Sequence, residues 1–153
     1  MNVCVLGLWH LGSVTAAALA ALGHQVVGFD FDAPRVAELN AGVAPVFEPG
    51  LEDLIRRGLA SGRLRFSSSL AEATRDMEVL WVAYDTPVDA HGNADLDVVG
   101  AQIVRAVLDI DTDAIVLISS QFPVGSVRRL ERAGRAVPDP AQAARVRDPV
   151  LHP

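Results

Sequence analysis

Six residues near the amino terminus, Gly7-Leu8-Trp9-His10-Leu11-Gly12, have the glycine spacing that lets a β-strand turn sharply into a helix. Such a turn aims backbone N–H groups and the positive end of the helix dipole at an anion, typically a diphosphate. The dinucleotide fingerprint G-x-G-x-x-G is met at its first and third glycines and not at its second, where Trp9 stands. The second glycine lets the backbone approach the diphosphate, so the Trp9 ring must point away, line the pocket or block it. Asp30 lies 18 residues beyond Gly12. At that separation an acid ending the second strand accepts from the ribose 2′-OH and repels a 2′-phosphate, which favours NAD over NADP. Asp32 is better placed to cap the following helix, which leaves Asp30 for a ligand. Arg35, one turn further on, either faces the adenine or a phosphate or is an ordinary exposed helix arginine. A βα turn with no ligand is the plain alternative for Gly7 to Gly12.

The other chemistry-bearing residues are sparse. Four histidines (His10, His24, His91, His152) and Cys4 are too scattered for metal-ligand spacing, so no metal is expected, and a single cysteine forms no internal disulfide. The 153 residues are 50% hydrophobic and 21% charged, enough for one core. Acids outnumber bases 19 to 13, and every base is arginine. A net charge of −6 gives no footprint for nucleic acid or an anionic membrane. The longest apolar stretch, Val14 to Leu22, is about half of the roughly 20 residues a span needs, and no basic leader precedes the first strand. A cytoplasmic protein is expected.

These candidates need a frame that brings them together. Asn2–Leu6 reads as a strand, followed by Gly7, a turn, and Gly12 opening a segment of small helix formers, Val14 to Leu22, stopped by Gly23. His24–Phe29 is a second strand; Asp32 and Pro34 start a helix through Asn40, and Gly42 follows it. Residues 43–50 are loop, Leu51–Ala60 a helix with Leu51, Leu54, Ile55 and Leu59 on one face, and Leu64–Phe66 a third strand. Ser69 caps a helix to Arg75, Val79–Ala83 is a fourth strand, and residues 85–94 form a loop able to touch a ligand. A helix from Asp95 to about Leu108, a fifth strand at Ala114–Ile118, a loop over 119–125 and a last helix from about Ser126 complete the body. Continuously apolar strands alternating with helices predict an α/β, doubly wound parallel sheet of about five strands, with ligands at the carboxyl ends of the strands.

Several segments taken together resemble the NAD-binding domain of the nucleotide-sugar (UDP-glucose/GDP-mannose) dehydrogenases. Gly7–Gly12 resembles that family's G-x-G-Y-V-G turn, Val27-Gly28-Phe29-Asp30-Phe31-Asp32 its V-G-V-D-I-D strand end, and Phe47-Glu48-Pro49-Gly50-Leu51 its Y-E-P-G-L motif. Residues 59–66 are similar to the segment entering its third strand, Asp85-Thr86-Pro87-Val88-Asp89 to its N/P-T-P-T/V-D loop, and Ser120-Gln121-Phe122-Pro123-Val124-Gly125 to its S-T-V-P-V-G loop. The likeness covers residues 2 to about 130. It implies a Rossmann-type fold, NAD as cofactor, and cofactor contacts from Gly7, Leu8, Trp9, His10, Leu11 and Gly12. It also implies that Asp30 holds the ribose and Arg35 stands beside the adenosine. Tyr84, Asp85 and Thr86 would then line the nicotinamide-side half, and Ser120 would touch the cofactor. Gln121 replaces a threonine that helps position water in the family, and an amide can also hold a water.

The complete family enzyme oxidises the C6 alcohol of a UDP- or GDP-sugar to the acid with NAD. Its substrate domain carries a lysine, an asparagine and a nucleophilic cysteine. None of these is matched here, so no catalytic residue is assigned and the chain alone is expected to be inactive. A nucleotide sugar becomes a partner only if a substrate domain is supplied. Composition changes near Val127: residues 1–127 hold 7 Arg and 16 acids, and residues 128–153 hold 6 Arg and 3 acids. Four of the nine prolines fall in the last 16 residues. The expectation is a domain over residues 1–134 that stops before the family's sixth strand, an irregular Arg/Pro-rich tail over 135–153, no substrate domain, and a possible homo-oligomer. A noncatalytic nucleotide-binding or interaction module is the alternative. A methyltransferase-type domain would leave Glu48-Pro49-Gly50-Leu51 and Pro123-Val124-Gly125 unexplained.

Overall fold

The strands β1 (Asn2–Leu6), β2 (Gln25–Phe29), β3 (Leu64–Ser67), β4 (Val79–Val82) and β5 (Ile115–Ile118) form one parallel sheet in the order β3-β2-β1-β4-β5. They are joined by helices α1 (His10–Ala21), α2 (Ala33–Asn40), α3 (Leu51–Ala60) and α4 (Leu70–Ala73). This computed structural model describes residues 1–85, 103, 106, 114–120, 125, 127, 128, 131 and 132. The α/β, doubly wound class expected from the sequence is the one found. Successive strands step outward from β1 to β3, and the chain then returns to the other side of β1 for β4 and β5. That reversal puts the topological switch point beside β1, between its carboxyl end and that of β4.

Both faces of the sheet are covered, which is why the strands read as apolar runs. Val3 and Val5 point into a core shared with Ala16, Ala17 and Ala20 of α1, Val36 and Leu39 of α2, and Leu51 and Ile55 of α3. Cys4 and Leu6, alternate residues of the same strand, enter the opposite core with Phe29, Ala73, Met77, Leu80, Val82, Ile103 and Ala106. The small alanines of α1 let its axis lie close to β1, which carries the glycine turn.

Boundaries differ from expectation where a tertiary contact overrides the local pattern. Helix α1 begins at His10, ahead of the apolar run from Val14, because Gly12 has no Cβ to strike the Gly7 carbonyl oxygen and the first helical turn can fold onto the strand end. Helix α4 is shorter than the expected 69–75. Ser69 makes no side-chain cap, its own N–H donates to Ser67 Oγ at 3.1 Å, and left-handed Asp76 (φ 57°) turns the chain into β4. Strand β5 begins at Ile115, one residue later than expected. Ile103 and Ala106 are helical, as are Val127, Arg128, Glu131 and Arg132. The rest of the loop expected over 85–94, of the helix to Leu108 and of the tail after 132 lies outside the described residues. Among the described residues no helix is long and apolar enough to cross a membrane.

Candidate functional site

The turn after β1 is built by its two glycines. Gly7 has φ +91°, a left-handed conformation open to glycine, and a Cβ there would lie 2.8 Å from Tyr84 Cδ1. Gly12 lets the start of α1 rest on the Gly7 carbonyl. Leu8 turns its side chain into the core and is fully buried, so its backbone N–H faces the strand ends. That N–H donates to Asp30 Oδ2 at 2.7 Å.

Asp30 immediately follows β2 and is only 6% exposed. A buried carboxylate needs partners, and Asp30 has three: the Leu8 N–H, the Asp32 N–H on Oδ1 at 3.0 Å, and Arg35 Nη1 on Oδ2 at 3.2 Å. Asp32 caps α2 by accepting the Arg35 N–H at 3.1 Å, and it also holds Arg35 Nη2 at 3.1 Å. The guanidinium is therefore gripped by two carboxylates, and its carbon lies 5.0 Å from the centre of the Trp9 ring. Trp9, half exposed, thus projects from the turn toward the β2 side of the sheet.

Asp85, just past β4, accepts the Leu11 N–H at 3.2 Å with Oδ2, so a carboxylate sits on the first turn of α1. His10 Nε2 lies 2.7 Å from Glu48 Oε1 and ties the 43–50 loop to the same turn. Tyr84 packs its ring against Gly7. Burial, and secondarily the charge of Asp30, push its phenol above the ordinary tyrosine range while Arg35 opposes the shift, so the hydroxyl keeps its proton. Ser120, just past β5, has a buried Oγ without a hydrogen-bond partner, as does the Tyr84 hydroxyl.

Gly7, Leu8, Trp9, His10, Leu11, Gly12, Asp30, Arg35, Tyr84 and Asp85 are thus linked by contacts around the switch point. Ser120 stands at the same edge of the sheet on the outer strand. Thr86 and Gln121 lie outside the described residues. Glu48 was missed as a site residue, although the Glu-Pro-Gly-Leu motif that contains it was the available signal. Among the described residues no group of three His, Cys, Asp or Glu side chains is arranged to hold a metal ion. Cys4 is fully buried in β1, and burial pushes its thiol up to about 12, with Arg65 opposing.

The family model for the NAD binding domain of UDP-glucose/GDP-mannose dehydrogenases matches residues 1–143. The chain belongs to this family. It is 41% identical over 131 residues to the UDP-glucose 6-dehydrogenase of Pseudomonas aeruginosa, covering 86% of this chain and 29% of that protein. It is 35% identical over 126 residues to the UDP-glucose 6-dehydrogenase YwqF of Bacillus subtilis, covering 82% and 29%. Among solved structures, GDP-mannose dehydrogenase from P. aeruginosa in a ternary complex superposes with a TM-score of 0.77 at 29% identity over 88% of this chain and 33% of that one. A UDP-D-ManNAc dehydrogenase from Pyrococcus horikoshii gives 0.82 at 27% identity over 97% and 34%. This NAD-binding domain therefore spans about a third of the length of the relatives it matches. Its residues fit the cofactor: a left-handed glycine opens the turn, a buried acid follows β2, and two orphaned hydroxyls stand at the strand ends.

Proposed function

We propose that this chain supplies the NAD(H)-binding part of a nucleotide-sugar 6-dehydrogenase that oxidises the C6 alcohol of a UDP- or GDP-sugar to the acid. When bound, NAD accepts the hydride. The chain's own residues bind and orient it. Asp30 takes the ribose hydroxyls in place of Arg35, and the turn of Leu8, Trp9, His10 and Leu11 between Gly7 and Gly12 meets the diphosphate. Arg35 stays beside the adenosine on Asp32, while Asp85, Thr86, Ser120 and Gln121 line the rest of the path. The observation that carries this reading is the Asp30 carboxylate held on the Leu8 N–H of the glycine turn. With Asp32 beside it, two carboxylates face one guanidinium, a balance that repels a 2′-phosphate.

Residues 1–134 are proposed as the cofactor unit and 135–153 as an irregular tail. The sequence has no lysine, and its one cysteine is buried in β1. The proposal therefore includes no turnover by this chain alone and action on a nucleotide sugar only beside a substrate domain. Its setting is the cytoplasm, and self-association is proposed through the β5 edge, where Ile115 is half exposed.

Calorimetric titration with NADH and NADPH tests the cofactor reading. NADH is expected to bind the more tightly, and Asp30→Ala to remove the preference. Equal affinities, or no loss in Asp30→Ala, would take Asp30 out of the ribose role. NADH formation is assayed with UDP-glucose, UDP-N-acetyl sugars and GDP-mannose, for the chain alone and mixed with a substrate-domain fragment of a relative. Steady turnover by the chain alone would contradict its catalytic incompleteness.

A further inference from the structure

Among the described residues two buried side-chain oxygens lack a hydrogen-bond partner, the Tyr84 hydroxyl and Ser120 Oγ. They lie just beyond the carboxyl ends of β4 and β5, strands paired Val82 to Ile118, so the two residues share one level of the sheet edge. Buried hydroxyls are paired in the great majority of cases, and an orphan calls for a reason. For Tyr84 the reason is not packing, because a phenylalanine would fill the same space without the unpaired oxygen.

The direction of the Tyr84 ring narrows the choice of partner. Its Cγ and Cδ1 lie 2.9 and 2.8 Å from the position of a Cβ on Gly7, so the ring leans from β4 back across the end of β1. Beyond β1 in that direction is β2, with Asp30 at its end and Arg35 on Asp30. Both charges act on the phenol, in opposite senses, and its proton is retained. A protonated phenol between the glycine turn and the ribose acid is a donor awaiting an oxygen acceptor. Tyr84 as a residue is half-buried, packed against the core that holds Leu6 and Phe29.

We propose that the Tyr84 hydroxyl donates a hydrogen bond to an oxygen of the adenosine-diphosphate half of the dinucleotide, and not to the nicotinamide-side half that the family resemblance implied. The proposal rests on the NAD-binding reading above and adds a contact to it.

The test uses the full chain and three ligands: NADH, ADP-ribose and nicotinamide mononucleotide. In Tyr84→Phe the dissociation constants for NADH and ADP-ribose are expected to rise together, about five- to tenfold for one lost hydrogen bond. The melting temperature of the free variant should be unchanged or higher, because the orphan oxygen is gone. A purely structural role would instead lower it. Tyr84 is the only tyrosine, so a chain labelled with 13Cζ-tyrosine gives one ring resonance whatever the variant's stability. That resonance should shift with ADP-ribose and stay in place with nicotinamide mononucleotide. An unchanged ADP-ribose affinity in Tyr84→Phe, or a resonance indifferent to ADP-ribose, would overturn the proposal while leaving the NAD reading intact. A wild-type chain that binds neither NADH nor ADP-ribose would instead remove the NAD reading, and this contact with it.

Discussion

The guanidinium carbon of Arg35 stands 5.0 Å from the centroid of the Trp9 ring, so the indole that stands at the second glycine position of the turn lies against the cation paired with Asp30. The ring leans from the turn toward Arg35 and, through it, toward Asp30. A cation over an indole contributes about 0.5–1 kcal/mol at an exposed site, and Trp9 is 46% exposed.

Trp9→Gly restores the fingerprint and removes that stack. We expect NADH to bind severalfold more tightly, because the ring no longer crowds the approach to Asp30, and the free chain to lose no more than about 1 kcal/mol of stability. Calorimetry and thermal unfolding measure the two effects. Weaker NADH binding would mean that the indole packs on the cofactor.

Asp85→Asn takes a negative charge off the Leu11 N–H, where a diphosphate is expected to lie. NADH affinity should rise, more so at low ionic strength where charge repulsion is least screened. Stability should fall by about 0.3–1 kcal/mol, the usual contribution of a negative charge beside a helix N-terminus. An affinity indifferent to both charge and salt would place the diphosphate away from this amide.

Gly12→Ala puts a methyl group onto the Gly7 carbonyl oxygen. The turn must open, at a cost of about 1–3 kcal/mol or more, and NADH binding should be lost with it. Gly23→Ala is the control: its φ of +97° is strained for alanine, but nothing lies within 4 Å of the added Cβ. It should cost about 1–2 kcal/mol and leave NADH affinity unchanged.

Cys4 should not react with alkylating reagents at neutral pH while the chain is folded, since its thiol is buried and pushed up to about 12. The unfolded thiol ionises at its ordinary, lower value. Stability from this group is therefore intact below that value and declines as pH rises from there toward about 12. Iodoacetamide labelling followed across a denaturant series should track unfolding. Rapid labelling of the native chain would contradict the buried placement.

Local pattern carried most of the fold. Helix α3 was legible because Leu51, Leu54, Ile55 and Leu59 repeat at helical spacing after Gly50, and α2 because Asp32 and Pro34 mark its start. The start of α1 at His10 lies just ahead of Gly12, where the sequence opens the helix, and the extra residues depend on the fit of Gly12 to the Gly7 carbonyl and not on apolar period. The site divides the same way. Asp30 follows from its distance to the turn, whereas the pairing of His10 with Glu48, 38 positions apart, has no local signature. Nor does the lean of Tyr84 over Gly7, which depends on β4 inserting beside β1.

The two tryptophans also make the chain its own optical instrument. Trp81, half-buried on β4, donates its Nε1–H to the exposed Ser119 Oγ at 2.8 Å and so has a polar partner just past the end of β5. Trp9 sits half in water against a cation. Reduced nicotinamide absorbs where indoles emit, so energy transfer from each gives a ruler to the bound cofactor. Replacing either indole with phenylalanine leaves the other as a single reporter, one reading the turn and the other the sheet.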